Sequence, residues 1–294
     1  MADDASQPFD RFFDVPDGLR LHFLEWPGAG APVLCLPGLT RSAEDFRVLA
    51  QALAGRGRRV IALDCRGRGE SQWDPDYARY TLDVEIGDIF RLLEETGVRA
   101  AQFVGTSRGG LQTMLISQRR PELVRAAVLN DVGPKIHLSG LLNIKRYVGR
   151  LPPLTSIEDA VGLMRLTAGA TFSNVTLEQW RTFARHTFVQ KDGKVVVRFD
   201  RALAHTLDEV TPDYTPIEYW DAFAVLTRKP TLVLRGENSD ILTPDILADM
   251  TARAPTLQVH VVAGQGHPAL LLDDETVTRV VHFLESCLLD RRHD

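Results

Sequence analysis

Gly105-Thr106-Ser107-Arg108-Gly109 is the stretch on which the reading of this chain turns. It follows the apolar pair Phe103-Val104 and opens an amphipathic, helix-patterned stretch. A serine in a sharp strand-to-helix turn crowds the residues two positions to either side, so both must be nearly free of side chain. Glycine at 105 and at 109 meets that demand. Such a turn lifts the Ser107 hydroxyl above the sheet and aims the N-terminus of the following helix at it. A simple helix N-cap is the plainer account of a serine here, but a cap does not require glycine on both sides.

Working outward, short apolar runs alternate with helical patterns. Residues 9–15 and 19–25 read as strands joined by the Pro16-Asp17-Gly18 turn. Continuous apolar runs follow at 33–36, 60–63, 103–104 and 126–129, and helices are expected over 44–53, 82–95 and the stretch after Ser107. Continuous strands separated by helices of this length predict a parallel sheet covered on both faces. The rhythm breaks after Asp131. The next stretch holds Pro152-Pro153, an Asp192-Gly193 turn and many aromatics, among them Tyr147, Trp180, Phe183 and Phe188. Pattern resumes with strands at 231–234 and 258–262 and helices at 244–252 and 275–289. The expectation is a core of residues 1–133 and 226–294, with a mainly helical insertion at 134–225.

Composition narrows the function classes. The chain has 294 residues, with 39 acidic against 34 basic and a formal net charge of −5. It carries no basic stripe of the kind that marks nucleic-acid binders. No apolar run approaches the roughly 18 residues of a membrane helix. The N-terminal Met1-Ala2-Asp3-Asp4 is acidic where a secretory signal is basic and then apolar, so a cytoplasmic protein is expected. Cys35, Cys65 and Cys287 form no Cys-x-x-Cys pair, which argues against a disulfide framework or a zinc site. No phosphate-binding glycine loop and no metal-ligand spacing is found, so neither cofactor nor metal is expected.

Four further motifs, in order, carry a resemblance. Leu36-Pro37-Gly38-Leu39 follows one apolar run, and Asp64-Cys65-Arg66-Gly67-Arg68-Gly69-Glu70-Ser71 follows the next. Gly236-Glu237-Asn238-Ser239-Asp240 and Gly264-Gln265-Gly266-His267 close two later strands. Together with the serine turn they resemble the α/β-hydrolase superfamily over nearly the whole core. The second motif is similar to that family's Asp-x-Arg-Gly-x-Gly-x-Ser loop. The run Leu129-Asn130-Asp131-Val132-Gly133-Pro134 is similar to one found in a group of bacterial hydrolases. The resemblance implies a mostly parallel eight-stranded sheet, helices on both faces and a helical lid inserted after the sixth strand.

It also implies roles. Ser107 is expected as nucleophile and His267 as the base that takes its proton, since a serine hydroxyl is a weak nucleophile without an adjacent imidazole. His267 lies between glycines and follows a strand, at the carboxyl end where ligands bind in open α/β sheets; its loop is expected to be mobile. His22 and His260 fall in strands, His282 in a helix, His293 in the tail, and His137, His186 and His205 in the insertion. The third member must be a carboxylate that orients the imidazole. Asp240 is the expected acid, in the order Ser, Asp, His; Asp131, which also ends a core strand, is the competitor. The oxyanion donors are expected to be the backbone N–H groups of Leu39 and Arg108. Arg108 itself calls for a partner. A salt bridge to Asp131 or Glu70 is the plain account, and reading of an anionic substrate group the sharper one.

The expected activity is hydrolysis of a small carboxylic ester or lactone with an apolar part, through an acyl-enzyme. A carbon–carbon bond hydrolase acting on dienoate or β-diketone products of aromatic degradation is the first alternative, with Arg108, Arg181 and Arg185 as candidate carboxylate readers. A non-catalytic ligand-binding receptor on the same fold is the second. No nucleic-acid or membrane partner is expected, and a homo-oligomer is compatible with the sequence.

Overall fold

Gly18, at φ 89°, turns the chain between β1 (Phe9–Asp14) and β2 (Arg20–Trp26), which pair antiparallel from Phe9 opposite Glu25 to Asp14 opposite Arg20. The alternating pattern then builds β3 (Gly30–Leu36), α1 (Arg47–Ala54), β4 (Arg58–Leu63), α2 (Leu82–Glu95), β5 (Ala101–Thr106), α3 (Arg108–Arg119) and β6 (Val124–Asn130). The insertion contributes α4 (Leu138–Tyr147), α5 (Ile157–Ala168), α6 (Leu177–Thr187), β7 (Phe188–Lys191), β8 (Lys194–Val197) and α7 (Trp220–Leu226). The chain closes with β9 (Thr231–Gly236), α8 (Pro244–Arg253), β10 (Gln258–Val262) and α9 (Asp274–Leu289). This computed structural model describes residues 7–150, 152–191 and 193–289. The acidic residues 1–4, Asp192 of the expected turn and His293 lie outside them.

One eight-stranded sheet runs β1-β2-β4-β3-β5-β6-β9-β10, antiparallel at β1–β2 and β2–β4 and parallel elsewhere. Period-two alternation sends successive side chains to opposite faces. Leu34, Leu36, Ile61, Leu63, Phe103, Leu129 and Val233 enter one cluster with α2, α3, α7 and α8. Val33, Cys35, Val60, Ala62, Val104, Val128 and Leu232 enter the other with α1 and α9. Both faces are therefore dry, and burying each large apolar side chain contributes about 1.5–3 kcal/mol. Cys35, Cys65 and Cys287 are all buried thiols.

Beside its helices the insertion carries one hairpin, in which β7 and β8 pair from Phe188 opposite Val197 to Lys191 opposite Lys194, and its expected limit shifts. The expected boundary at 225/226 falls inside α7, whose Ala222, Phe223 and Leu226 are buried with the core under the sheet. Among the described residues, no helix is long and apolar enough to cross a membrane.

Candidate active site

Ser107 sits at the β5–α3 junction with φ 51° and ψ −114°, a conformation that L-residues adopt only when their surroundings hold them there. The flanking glycines are a steric requirement. A Cβ at 105 would lie 2.5 Å from Gly109 O, and one at 109 would lie 2.1 Å from Leu36 O. The N-cap account fails, since the Ser107 side chain makes no capping bond to α3. Its Oγ instead hydrogen-bonds His267 Nε2 at 2.9 Å.

His267 comes from the loop after β10, and that loop is tied down rather than free. Gly264 N donates to Glu237 Oε2 at 2.7 Å, and Asn174 N donates to Gly264 O at 3.3 Å. Asn238 N donates to Gln265 O at 2.8 Å, and Asn130 Nδ2 holds Ala269 O at 2.9 Å. The carboxyl ends of β5, β6, β9 and β10 thus converge on one imidazole.

The acid beside that imidazole corrects the sequence expectation. His267 Nδ1 lies 2.8 Å from Asp131 Oδ2, not against Asp240. Asp131 follows β6 at φ 58°, is wholly buried, and uses its other oxygen to accept from Gly236 N at 2.8 Å. Its own N–H donates to Leu234 O at 2.8 Å, which fixes the backbone turn. Asp240 is drawn away by α4, where Asn143 Nδ2 donates to its Oδ2 at 2.6 Å. With a carboxylate on Nδ1, the imidazole proton belongs there and Nε2 is left as an acceptor for the Ser107 hydroxyl.

The two expected oxyanion donors flank Ser107. A Cβ on Gly38, the residue before Leu39, would lie 3.7 Å from Ser107 Cβ. Among the described residues no hydrogen bond engages the Leu39 N–H. The Arg108 N–H is at the first position of α3, where no intrahelical acceptor exists. Neither N–H is therefore committed to another group among the described residues.

The Arg108 side chain is paired, but with neither Asp131 nor Glu70. Its Nε donates to Glu85 Oε2 at 2.7 Å, and its Nη2 to Tyr80 O at 3.1 Å. Arg68 Nη1 and Gln112 Nε2 also donate to Glu85, each at 2.7 Å. Burial pushes the Glu85 carboxyl up, yet the Arg108 and Arg68 guanidiniums outweigh it and hold it at about 2. Arg181 and Arg185 do not meet the site: on the exposed side of α6 they pair with Glu158 and Glu178.

The insertion packs against Leu39 with apolar side chains. Leu39 touches both of its clusters, one built on Phe172, Trp180, Phe199 and Leu270, the other on Val148, Leu207 and Val210. Arg41, two residues after Leu39, reaches α6: its Nη1 donates to Thr187 Oγ1 at 2.5 Å and its guanidinium lies 4.0 Å over the Phe183 ring. Asp45 accepts from Arg41 and lies 3.6 Å from His186 Nδ1. Burial raises the Asp45 carboxyl, but the Arg41 charge and the His186 contact bring it to about 2. Among the described residues, no group of His, Cys, Asp and Glu is arranged to hold a metal ion.

Sequence reading missed Glu85 and the part played by Arg68. A signal was present, because Ile86, Ile89, Leu92 and Leu93 mark the buried stripe of α2 and Glu85 lies on it. A carboxylate on such a stripe demands cationic partners.

The comparisons with known proteins bear on the fold and the family. The family model described as the alpha/beta hydrolase fold matches residues 31–274. The chain is 31% identical over 278 residues to the 3-hydroxybutyrate-oligomer hydrolase of Cupriavidus necator, covering 91% of this chain and 94% of that one. It is 28% identical over 261 residues to the 2-(acetamidomethylene)succinate hydrolase of Mesorhizobium japonicum, covering 88% and 90%. The crystal structure of an alpha/beta hydrolase from Novosphingobium aromaticivorans superposes with a TM-score of 0.89 at 36% identity, over 95% of this chain and 98% of that one. With its serine turn, histidine loop and sheet order all in place, the chain belongs to the α/β-hydrolase family and is a hydrolytic enzyme.

Proposed function

We propose that the chain is a serine hydrolase of carboxylic esters, with Ser107, His267 and Asp131 as its triad. The observation that carries this reading is the continuous hydrogen-bonded chain from Ser107 Oγ through His267 to Asp131. Ser107 Oγ attacks the acyl carbon as its proton passes to His267 Nε2. Asp131 holds the imidazole and stabilises the imidazolium. The negative charge on the former carbonyl oxygen falls to the Leu39 and Arg108 N–H groups. The tetrahedral species collapses, and His267 returns the proton to the departing alcohol. Water then attacks the acyl-enzyme by the same route and releases the acid.

The apolar clusters around Leu39 support a substrate with an apolar acyl or alcohol part, under a lid formed by the insertion. The named activity of the Cupriavidus necator relative makes short hydroxyacid oligoesters one reasonable substrate. The carboxylate readers of the carbon–carbon alternative are already engaged, Arg108 with Glu85 and Arg181 and Arg185 with α5 and α6 glutamates, which speaks for the ester reading. The free Cys35 and Cys65 thiols fit a reducing, cytoplasmic setting.

A fluorophosphonate probe is expected to label the wild-type chain and not Ser107→Ala. A panel of p-nitrophenyl esters and 3-hydroxybutyrate oligomers is expected to be turned over, and a ring-fission dienoate is not. Dienoate cleavage faster than ester cleavage would overturn the proposal.

A further inference from the structure

Both peptide planes that flank Leu39 are hydrogen-bonded, one within its own turn and one from the loop after β4. Gly38 O accepts from Arg41 N at 3.2 Å, and in a trans peptide the Leu39 N–H points the opposite way. Leu39 O accepts from Arg68 Nε at 2.7 Å. Holding the peptide on each side fixes both φ and ψ of Leu39, and with them the direction of its N–H. Arg68 occupies a position that the Asp-x-Arg-Gly-x-Gly-x-Ser pattern leaves open, and it is only 1% exposed. Its Nη1 donates to Arg66 O and to Glu85 Oε1, each at 2.7 Å.

Glu85 is the joint between the two halves of the oxyanion site. One of its oxygens faces Arg68, which grips the Leu39 carbonyl; the other faces Arg108, whose own N–H is the second donor. Gln112 Nε2, one turn further along α3, donates to the same oxygen as Arg108. A single buried carboxylate therefore couples α2, the loop after β4, the Leu39 loop and the start of α3.

We propose that Glu85 and Arg68 are positioning residues that set the spacing and direction of the Leu39 and Arg108 N–H groups. The proposal rests on the serine ester hydrolase reading, and it adds residues that never touch substrate. A guanidinium is a rigid planar fork, so it transmits position where a lysine would not. A buried ion network is a weak source of net stability; the contacts of this one reach Leu39 O, Arg66 O and both Glu85 oxygens, and those contacts carry position. Glu85, held far down its titration range, keeps its charge throughout the pH range in which ester hydrolysis by an imidazole base operates.

Two variants test it: Arg68→Lys keeps the cation but loses the forked reach to Leu39 O, and Glu85→Gln keeps the shape but loses the charge. Rates are referred to the sites titrated by a fluorophosphonate, so that unfolded molecules do not count. With p-nitrophenyl butyrate, kcat is expected to fall about tenfold or more in each variant while KM stays within about twofold. Inhibition gives a second readout that a merely structural role would not move. A trifluoromethyl ketone adds Ser107 Oγ to its carbonyl carbon and places a tetrahedral oxyanion between the two donors. Its isosteric methyl ketone stays trigonal. The ratio of the two affinities is expected to fall by the same factor as kcat. An unchanged kcat and an unchanged ratio in the titrated variants would overturn the inference and leave the proposed function standing. A wild-type chain that neither labels nor hydrolyses any ester would overturn both.

Discussion

The loops after β6 and β9 look alike in the sequence and behave differently in the fold. Each ends an apolar strand and offers an aspartate, Asp131 in one and Asp240 in the other. Both strands are interior to the sheet, β6 between β5 and β9 and β9 between β6 and β10, so it is the turn at the end of β6 that sets its aspartate apart. There Asp131 is wholly buried, boxed by Gly236 N and His267 Nδ1. The β9 loop lies under α4, which presses so closely that a Cβ on Gly140 would stand 2.7 Å from Asp240 O. Its aspartate remains half-buried and spends its carboxylate on Asn143. Enclosure and the direction of the chain at the strand's end, rather than residue type or order, make one aspartate the partner of the histidine.

The largest test of that contrast is a pair of substitutions. Asp131→Asn is expected to lower kcat for ester hydrolysis by about 10⁴-fold, because an amide presents the wrong partner to Nδ1. Asp240→Asn is expected to leave kcat within about twofold. Reversed outcomes would return the acid to Asp240. Next in size is Gly236→Ala, whose Cβ would stand 2.2 Å from Gly266 O. Pushing the histidine loop off Asp131 by a fraction of an ångström to an ångström is expected to cost up to about 100-fold in kcat, measured with thermal unfolding to separate displacement from loss of fold.

A gentler test uses acid. Glu85 and Asp45, both held at about 2, bind protons more weakly folded than unfolded. Their contribution to stability is full above the ordinary carboxylate values and is lost as pH falls through about 2. The melting temperature is therefore expected to drop as the pH is lowered across that window. In Glu85→Gln the drop should be shallower, measured by thermal unfolding at each pH. The smallest effect belongs to Asn143→Ala, which releases Asp240 and is expected to shift stability by no more than about 0.5 kcal/mol with kcat unchanged.

Much of this was legible before any fold was drawn. The runs at 33–36, 60–63, 103–104 and 126–129 all lie within strands, and 82–95 is α2 to the residue. Ser107 and His267 were readable because their flanking glycines leave a local steric mark. The acid was not, because an aspartate after an apolar strand carries no comparable mark. Arg108 announced that it needed a partner without naming it. Glu85 is 23 residues away in sequence and meets it only because α2 and α3 pack side by side. The limits of the insertion were read from loss of rhythm, which misplaced α7, since a helix belongs to whichever core buries its apolar side chains.

By itself, then, the sequence determined the layered α/β architecture, the nucleophile turn and the histidine loop, all of which rest on local periodicity and on glycines with no room for a side chain. The tertiary structure alone decided which carboxylate faces the imidazole, which one joins Arg68 to Arg108, and which helices of the insertion belong to the core. Those are contacts between segments distant in sequence, and they follow from strand order and from the high cost of burying a charge without a partner.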